Sequence, residues 1–306
     1  MSGPRAVVTV GTFDGVHLGH RAVLDEIARR AAASGSTSVL VTFEPHPLEV
    51  INPSAAPPLL TLPDEKRLYL AQSAVDRVAF VPFTPELRNL TPEQFVRSVL
   101  EQQFHVGELV IGHDHGFGRG RTGDVGFLRR IGEQDGFGVD VVAPVLLEDG
   151  RPISSTLIRR AVAGGDLETA WRALGRPYGV MGEVVKGAGR GRTIGIPTMN
   201  LAPPGPRKLL PPDGVYACVV SWQGESYGAM ANLGPRPTFG ETARALEAHL
   251  FGFSGDLYGA RVNVAFHRRL RDVVAFQSVD ALKDQLARDR EAAIAALRMS
   301  SGPVSL

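Results

Sequence analysis

The stretch Ala6-Val-Val-Thr-Val-Gly-Thr-Phe-Asp-Gly-Val-His-Leu-Gly-His20 decides how the N-terminal half is read. Ala6 to Val10 is a continuous apolar run of strand length, the pattern of a strand buried on both faces. A turn with Gly11 and Gly15 follows, and His20 to Ala33, rich in Ala, Arg and Leu, reads as a helix ending near Gly35. The alternation then repeats. Ser38 to Phe43 is a second strand and Lys66 to Ala74 a second helix. Val78 to Val81 is a third strand, and Pro92 to Gln103 a third helix with Thr91 placed to cap it. Leu109 to Ile111 and Val139 to Val142 are further short strands. Strands separated by helices pair in parallel through right-handed crossovers, which predicts an open α/β sheet. Ligands of such sheets bind beyond the carboxyl ends of the strands, where the Gly11–Gly15 turn lies.

The second half changes style. After a short helix at Leu167 to Leu174 and a linker, Gly175-Arg-Pro-Tyr178, strands dominate: Val180 to Val185, Val215 to Trp222, Glu225 to Leu233, Ala245 to Phe251 and Arg261 to Leu270. Gly and Pro punctuate them, the signature of a compact antiparallel barrel. A closing helix, Ser278 to Leu297, carries Leu282, Leu286, Ile294 and Leu297 as a packing stripe. Two domains are therefore expected, 1–178 and 179–306. Charge supports the division mildly: the first 178 residues hold 18 basic and 21 acidic side chains, the rest 15 and 11.

Composition removes several function classes. With 43% hydrophobic and 21% charged residues in 306, the chain can bury a real core. A net charge of +1 supplies no global basic field for nucleic acid or anionic membrane. The single cysteine, Cys218, excludes internal disulfides and cysteine-rich zinc modules. No apolar run approaches about 20 residues, and the N-terminus lacks a signal-peptide pattern. The expectation is a soluble, cytoplasmic protein with no membrane or nucleic-acid partner.

Three segments carry chemistry. His17 and His20 are three apart, so both can project from one face of a first helical turn. That turn offers unpaired N–H groups and positive dipole to a phosphate, and two imidazoles can donate to its oxygens. Spacing alone fits two structural histidines near a strand end equally well. Ser154-Ser-Thr156 with Arg159 supplies short donors and a permanent cation for phosphate oxygens, or merely caps a helix. Gly187-Ala-Gly-Arg-Gly-Arg-Thr-Ile-Gly-Ile-Pro-Thr-Met-Asn200 is the richest segment. It lacks the Gly-Lys-Ser/Thr of a phosphate-binding loop, and no helix follows to make a dinucleotide fingerprint. One reading is a flexible hairpin. The other has Gly187, Gly189, Arg190, Gly191 and Arg192 covering phosphates, with Thr198 and Asn200 as hard oxygen ligands for Mg²⁺.

The Gly11–His20 run resembles the HxGH signature of nucleotidylyltransferases, specifically the adenylyltransferase module of bacterial bifunctional riboflavin kinase/FAD synthetases. The resemblance continues through Thr42-Phe-Glu-Pro-His-Pro47, Ile111-Gly-His-Asp-His-Gly-Phe-Gly118, Thr122-Gly-Asp124 and Ile153-Ser-Ser-Thr-Leu-Ile-Arg159. Gly187–Asn200 resembles the glycine-rich loop and PTxN motif of riboflavin kinases, and Leu246-Glu-Ala-His-Leu-Phe251 and Gly255-Asp-Leu-Tyr-Gly259 are similar to that family too. The resemblance runs from about Val7 to Leu297. It implies an α/β plus β architecture: a Rossmann-like open parallel sheet, then a riboflavin-kinase-like antiparallel barrel with its closing helix. It implies that riboflavin and ATP give FMN in the C-terminal module, and FMN and ATP give FAD and pyrophosphate in the N-terminal one, both with Mg²⁺. Gly11, Thr12, Phe13, Asp14, Gly15, Asp114, Ser155, Thr156 and Arg159 would bind the ATP that supplies AMP, with His17 and His20 catalytic. His46 and Pro47 would border the flavin, and Glu247 would be the general base on the riboflavin 5′-hydroxyl.

Departures from the family pattern stand at His115, Gly116 and Pro152, where aromatic, larger and basic side chains are common, and at Met199, Gly252 and Asp272-Val273. Those at 115, 116 and 152 predict slower FAD than FMN formation, with Arg151 as a neighbouring cation that could compensate. Two alternatives follow: a kinase whose adenylyltransferase half is weak or re-purposed, and a flavin-sensing regulator. A regulator would normally carry a basic recognition helix, which is missing here.

Overall fold

The structure is a computed structural model and describes residues 5–113, 124–187, 191, 195–235 and 244–299. The chain divides into two compact units, Met1–Ser155 and Thr156–Leu306.

In the first unit five parallel strands form one sheet in the order β3-β2-β1-β4-β5, with β1 at Ala6–Val10, β2 at Thr37–Glu44, β3 at Arg77–Pro82, β4 at Val106–Gly112 and β5 at Gly138–Val142. Every residue of β1 is buried, as a central strand covered on both faces must be. Helix α1, Leu18–Ser34, covers one face through Val23, Leu24, Ile27 and Ala31. It stops at Gly35, whose left-handed backbone lets its N–H close on the carbonyls of Ala31 and Ala32. Helices α2 (Pro47–Ile51), α3 (Pro63–Leu70), α4 (Pro85–Asn89), α5 (Pro92–Phe95) and α6 (Val125–Asp135) follow. The helix expected from Lys66 begins a turn earlier. Pro63 opens it and the Glu65 carboxylate accepts from the Leu62 N–H at 2.8 Å, so Lys66 lies inside the helix instead of at its start. Thr91 caps α5 reciprocally with Gln94, but the α-helix ends at Phe95 and passes into a π-helical turn over Val96–Glu101.

Helix α7 (Ser155–Gly164) begins at the last residue of the first unit and runs into the second, where α8 (Leu167–Leu174) follows. Six antiparallel strands then close into a barrel in the order β10-β7-β6-β11-β8-β9. They are β6 (Tyr178–Val185), β7 (Met199–Leu201), β8 (Gly214–Trp222), β9 (Glu225–Pro235), β10 (Arg244–Leu250) and β11 (Arg261–Arg271). Tyr216 and Phe266 meet edge-to-face at 5.2 Å in its core. Helix α8 packs on β6 and β11, with Trp171 edge-on to His267 at 5.3 Å. That packing is why the compact unit begins upstream of residue 179. Helix α9, Val279–Met299, lays Ala293, Ala296 and Leu297 against Ala217, Val219, Met230 and Phe251. Arg271 anchors it through three hydrogen bonds, at 2.9, 3.1 and 2.7 Å, to the buried carboxylate of Asp289. Arg271 closes the basic run Arg268–Arg271 at the end of β11. Among the described residues no helix is long and apolar enough to cross a membrane.

Candidate functional site

Sheet order β3-β2-β1-β4-β5 means that winding reverses between β1 and β4, so their carboxyl ends flank the topological switch point where open sheets bind ligands. The Gly11–His20 segment leaves β1 at that point. His113 leaves β4 beside it and is exposed; Asp114 lies outside the described residues.

The loop after β1 is strained. Phe13 and Val16 take left-handed backbones, at φ 49° and 39°, around Gly15 at 87°. Such conformations cost a non-glycine residue about 1–3 kcal/mol each and persist only where surroundings over-determine them. The surroundings here are explicit. Asp14, 3% exposed, accepts from the Leu60 N–H at 3.0 Å, the Thr61 N–H at 2.9 Å and the Thr61 hydroxyl at 3.0 Å. The Gly15 N–H donates back to Thr61 Oγ1 at 3.0 Å, and Ser155 Oγ donates to the Asp14 carbonyl at 2.9 Å. The left-handed φ of Gly15 suits glycine, and a Cβ there would also come within 2.8 Å of Leu60 Cδ1.

The clamped loop delivers His17 to the N-cap of α1, where its Nδ1 accepts from the His20 N–H at 3.2 Å. An imidazole accepting at Nδ1 keeps Nε2–H as its donor. The two rings stack at 3.6 Å and 16°, and Phe13 packs 4.6 Å from the His20 ring. On the far side of the loop the Thr12 carbonyl accepts from Thr42 Oγ1 at 3.2 Å and from the Lys66 ammonium at 3.1 Å. Lys66 is buried and also donates to Thr42 Oγ1 at 3.2 Å and the Phe43 carbonyl at 3.0 Å. Burial pushes its pKa down to about 8, against the pull of Asp14 and Glu44. His46 caps α2, its Nδ1 accepting from the Leu48 N–H at 3.2 Å, and Pro47 is the first residue of that helix.

Ser155 opens α7, with Thr156 and Arg159 on that helix in the second unit. Pro152 forms an isolated bridge with Leu146, and Arg151 is paired with Asp149 at 2.6 Å. His115 and Gly116 lie outside the described residues.

In the barrel, register decides the second site. Glu247 on β10 stands directly opposite Asn200 on β7 and Asn232 on β9, and paired residues share a sheet face. Leu246, Ala248 and Leu250 are buried on the other face. Asn200 is buried, and among the described residues its Oδ1 has no hydrogen-bond partner. A Cβ on Gly187 would fall 2.2 Å from Asn200 Nδ2, and one on Gly191 would fall 2.3 Å from the Ile196 carbonyl and 3.2 Å from Thr198 Oγ1. The Ile196 N–H donates to the Gly191 carbonyl at 2.9 Å. His249 holds this turn from β10, its Nδ1 2.7 Å from the Pro197 carbonyl. Gly187 and Gly191 thus lie close against Asn200 and Thr198; Gly189, Arg190 and Arg192 lie outside the described residues. A buried amide oxygen left unmatched is costly, and a hard cation is a ligand that would satisfy it. Among the described residues no cluster of three His, Cys, Asp or Glu is disposed to hold a metal.

Sequence reasoning does not single out Thr61, Lys66, Asn232 or His249. Nothing in spacing links position 14 to 61, or 12 to 66; only the folded register does.

Residues 2–157 match the FAD synthetase family model and residues 174–297 the riboflavin kinase model. The bifunctional riboflavin kinase/FMN adenylyltransferase of Pseudomonas fluorescens is 40% identical over 97% of this chain and 93% of its own length. The protein so described from Escherichia coli strain K12 is 39% identical over 92% and 90%. A crystal structure described as a macrolide-efflux protein from Streptococcus pneumoniae superposes with a TM-score of 0.84 at 34% identity, covering 96% of this chain and 95% of that one.

Proposed function

Because the chain belongs to the bifunctional riboflavin kinase/FMN adenylyltransferase family, we propose that it makes FAD in two ATP-dependent steps, one in each half. What carries this reading is that one chain holds two separate constellations: stacked histidines on a clamped loop at a sheet switch point, and a carboxylate paired on neighbouring barrel strands with an amide whose oxygen has no hydrogen-bond partner among the described residues.

In the kinase step the riboflavin 5′-oxygen attacks the γ-phosphorus of ATP and the bond to the bridging oxygen of ADP breaks. Glu247 takes the hydroxyl proton. Thr198 and Asn200 would hold Mg²⁺, which neutralises triphosphate charge. Gly187, Gly189, Arg190, Gly191 and Arg192 cover the phosphates. In the adenylyl step an FMN phosphate oxygen attacks the α-phosphorus of a second ATP, and pyrophosphate leaves. His17 and His20 donate to phosphate oxygens as charge develops. Backbone from Gly11 to Gly15 lines the nucleotide, with Asp14 acting through the loop it clamps. Asp114, Ser155, Thr156 and Arg159 complete the ATP side, and His46 with Pro47 the flavin side. Adenylylation is the slower step: Arg151, the cation nearest Pro152, is engaged by Asp149. We place the division of labour at 1–178 and 179–306, and the protein in the cytoplasm.

The test is one incubation of the full chain with riboflavin, ATP and Mg²⁺, separating flavins by chromatography. FMN should appear first and FAD after it, and supplied FMN should yield FAD with release of pyrophosphate. Riboflavin returned unchanged, or FMN never converted, would refute the corresponding half.

A further inference from the structure

Lys66 is a buried cation that neither proposed chemical step uses. Its ammonium has three N–H donors and three acceptors: the Thr12 carbonyl at 3.1 Å, Thr42 Oγ1 at 3.2 Å and the Phe43 carbonyl at 3.0 Å. Thr12 lies in the strained loop after β1; Phe43 is the last residue but one of β2, just before the segment that carries His46 and Pro47. The same stretch that supplies Lys66 also grips the loop from its other side, through Leu60 and Thr61 on Asp14. We propose that Lys66 is a positioning residue for adenylyl transfer, a strut that fixes the nucleotide-side loop at Thr12 against the flavin-side loop at Phe43. The proposal rests on assigning adenylyl transfer to this half of the chain.

Burying an ammonium is a poor way to stabilise a fold, since an apolar side chain of similar volume avoids its desolvation. What the ammonium adds is direction. Three bonds at one atom set the distance between two backbones from neighbouring strands. The groups facing it are Asp14 from the loop, Glu44 from β2, Arg67 from its own helix and the Phe80 ring of β3, 5.6 Å away. The carboxylates favour the charged form, and burial and Arg67 oppose it, leaving the pKa at about 8. Neutral lysine has two N–H groups for three acceptors, so one arm of the strut is released as pH rises through that value. Stability moves the other way. Between about 8 and the ordinary 10.5 the unfolded chain holds the proton and the folded chain does not, so folding is favoured increasingly as pH rises across that window.

The experiment compares the full-length wild type, Lys66→Met and Lys66→Arg. It reads kcat and KM for ATP in FAD formation from supplied FMN between pH 7 and 9.5, kinase turnover, and melting temperature. The wild type should lose adenylyl transfer around pH 8 while its melting temperature holds or rises. Lys66→Met should lower kcat/KM at pH 7 about tenfold or more and flatten the alkaline fall, with kinase turnover and melting temperature maintained. Lys66→Arg, charged throughout, should recover part of the activity and move the fall above pH 9.5. A wild-type profile flat across that range, or Lys66→Met with wild-type kcat/KM, overturns the proposal. So does a loss that tracks melting temperature and is not rescued by arginine, which would make Lys66 structural only. If the wild type forms no FAD from FMN at any pH, the reaction assigned to this half falls first, and the strut with it.

Discussion

Replacing Asp14 with asparagine removes one charge and leaves the volume unchanged, so its cost can be worked from the bonds that Asp14 makes. One carboxylate oxygen accepts from the Thr61 N–H and hydroxyl, the other from the Leu60 N–H. An amide has one acceptor oxygen. Whichever way it turns, its NH₂ faces a buried backbone N–H, and two donors meet where a donor met an acceptor. One buried donor goes unsatisfied, at about 1–3 kcal/mol, and the surviving bonds lose their charge assistance. The sum is roughly 2–4 kcal/mol against the N-terminal unit. For a unit of this size that lowers its melting temperature by roughly 5–15 °C. The strained residues Phe13 and Val16 are the ones the clamp over-determines, so the loop relaxes and carries His17 out of register with His20. The assay is FAD formation from supplied FMN, with riboflavin phosphorylation on the same preparation as control. Adenylyl transfer should fall by about tenfold or more and phosphorylation should not change. An Asp14→Asn protein with wild-type melting and wild-type FAD formation would show that the loop holds its shape without the clamp.

Three other substitutions separate the two chemistries. Glu247→Gln should lower riboflavin phosphorylation by about 10²-fold or more and leave FAD formation from FMN intact; near-normal kinase turnover sinks the base assignment. His20→Ala should cost about 10²-fold or more in adenylyl transfer with kinase activity preserved, and equal loss of both would point to misfolding. Gly187→Ala puts a Cβ where Asn200 Nδ2 now sits, 2.2 Å away. Either the loop or the amide must move, so kinase turnover should fall about tenfold or more and need more Mg²⁺ to saturate; unchanged Mg²⁺ dependence would dissociate Asn200 from the metal.

Much of this architecture is legible without coordinates. The apolar run at Ala6–Val10, the helix punctuated by Gly35 and the strand-rich second half each follow from periodicity and turn residues. His17 and His20 were expected on one face, and the rings stack there. What stayed hidden depends on long-range register. Asp14 reads as a loop carboxylate, and only the fold brings Leu60 and Thr61 to it. Lys66 reads as the polar start of a helix, because Pro63 as its first residue competes poorly with the apolar pattern that follows. Strand β7 disappears among glycines: three residues, Met199–Leu201, are too few to show alternation.

Closure of the barrel has an effect on heredity as well as on shape. Strand β10 is hydrogen-bonded to β7 on one side and β9 on the other, so Glu247 is registered from two directions at once. Side chains alternate with a period of two, so a slip of one residue would exchange Glu247 for Leu246 or Ala248 on its face and drive the carboxylate into the apolar interior. An open sheet could accommodate such a slip by letting an edge strand slide; this barrel has no edge to release. Gene variants that insert or delete a single codon within Arg244–Leu250 are thus intolerable in a way that variants lengthening the barrel's exposed turns are not. The length of that strand, as much as the identity of its glutamate, is the inherited trait.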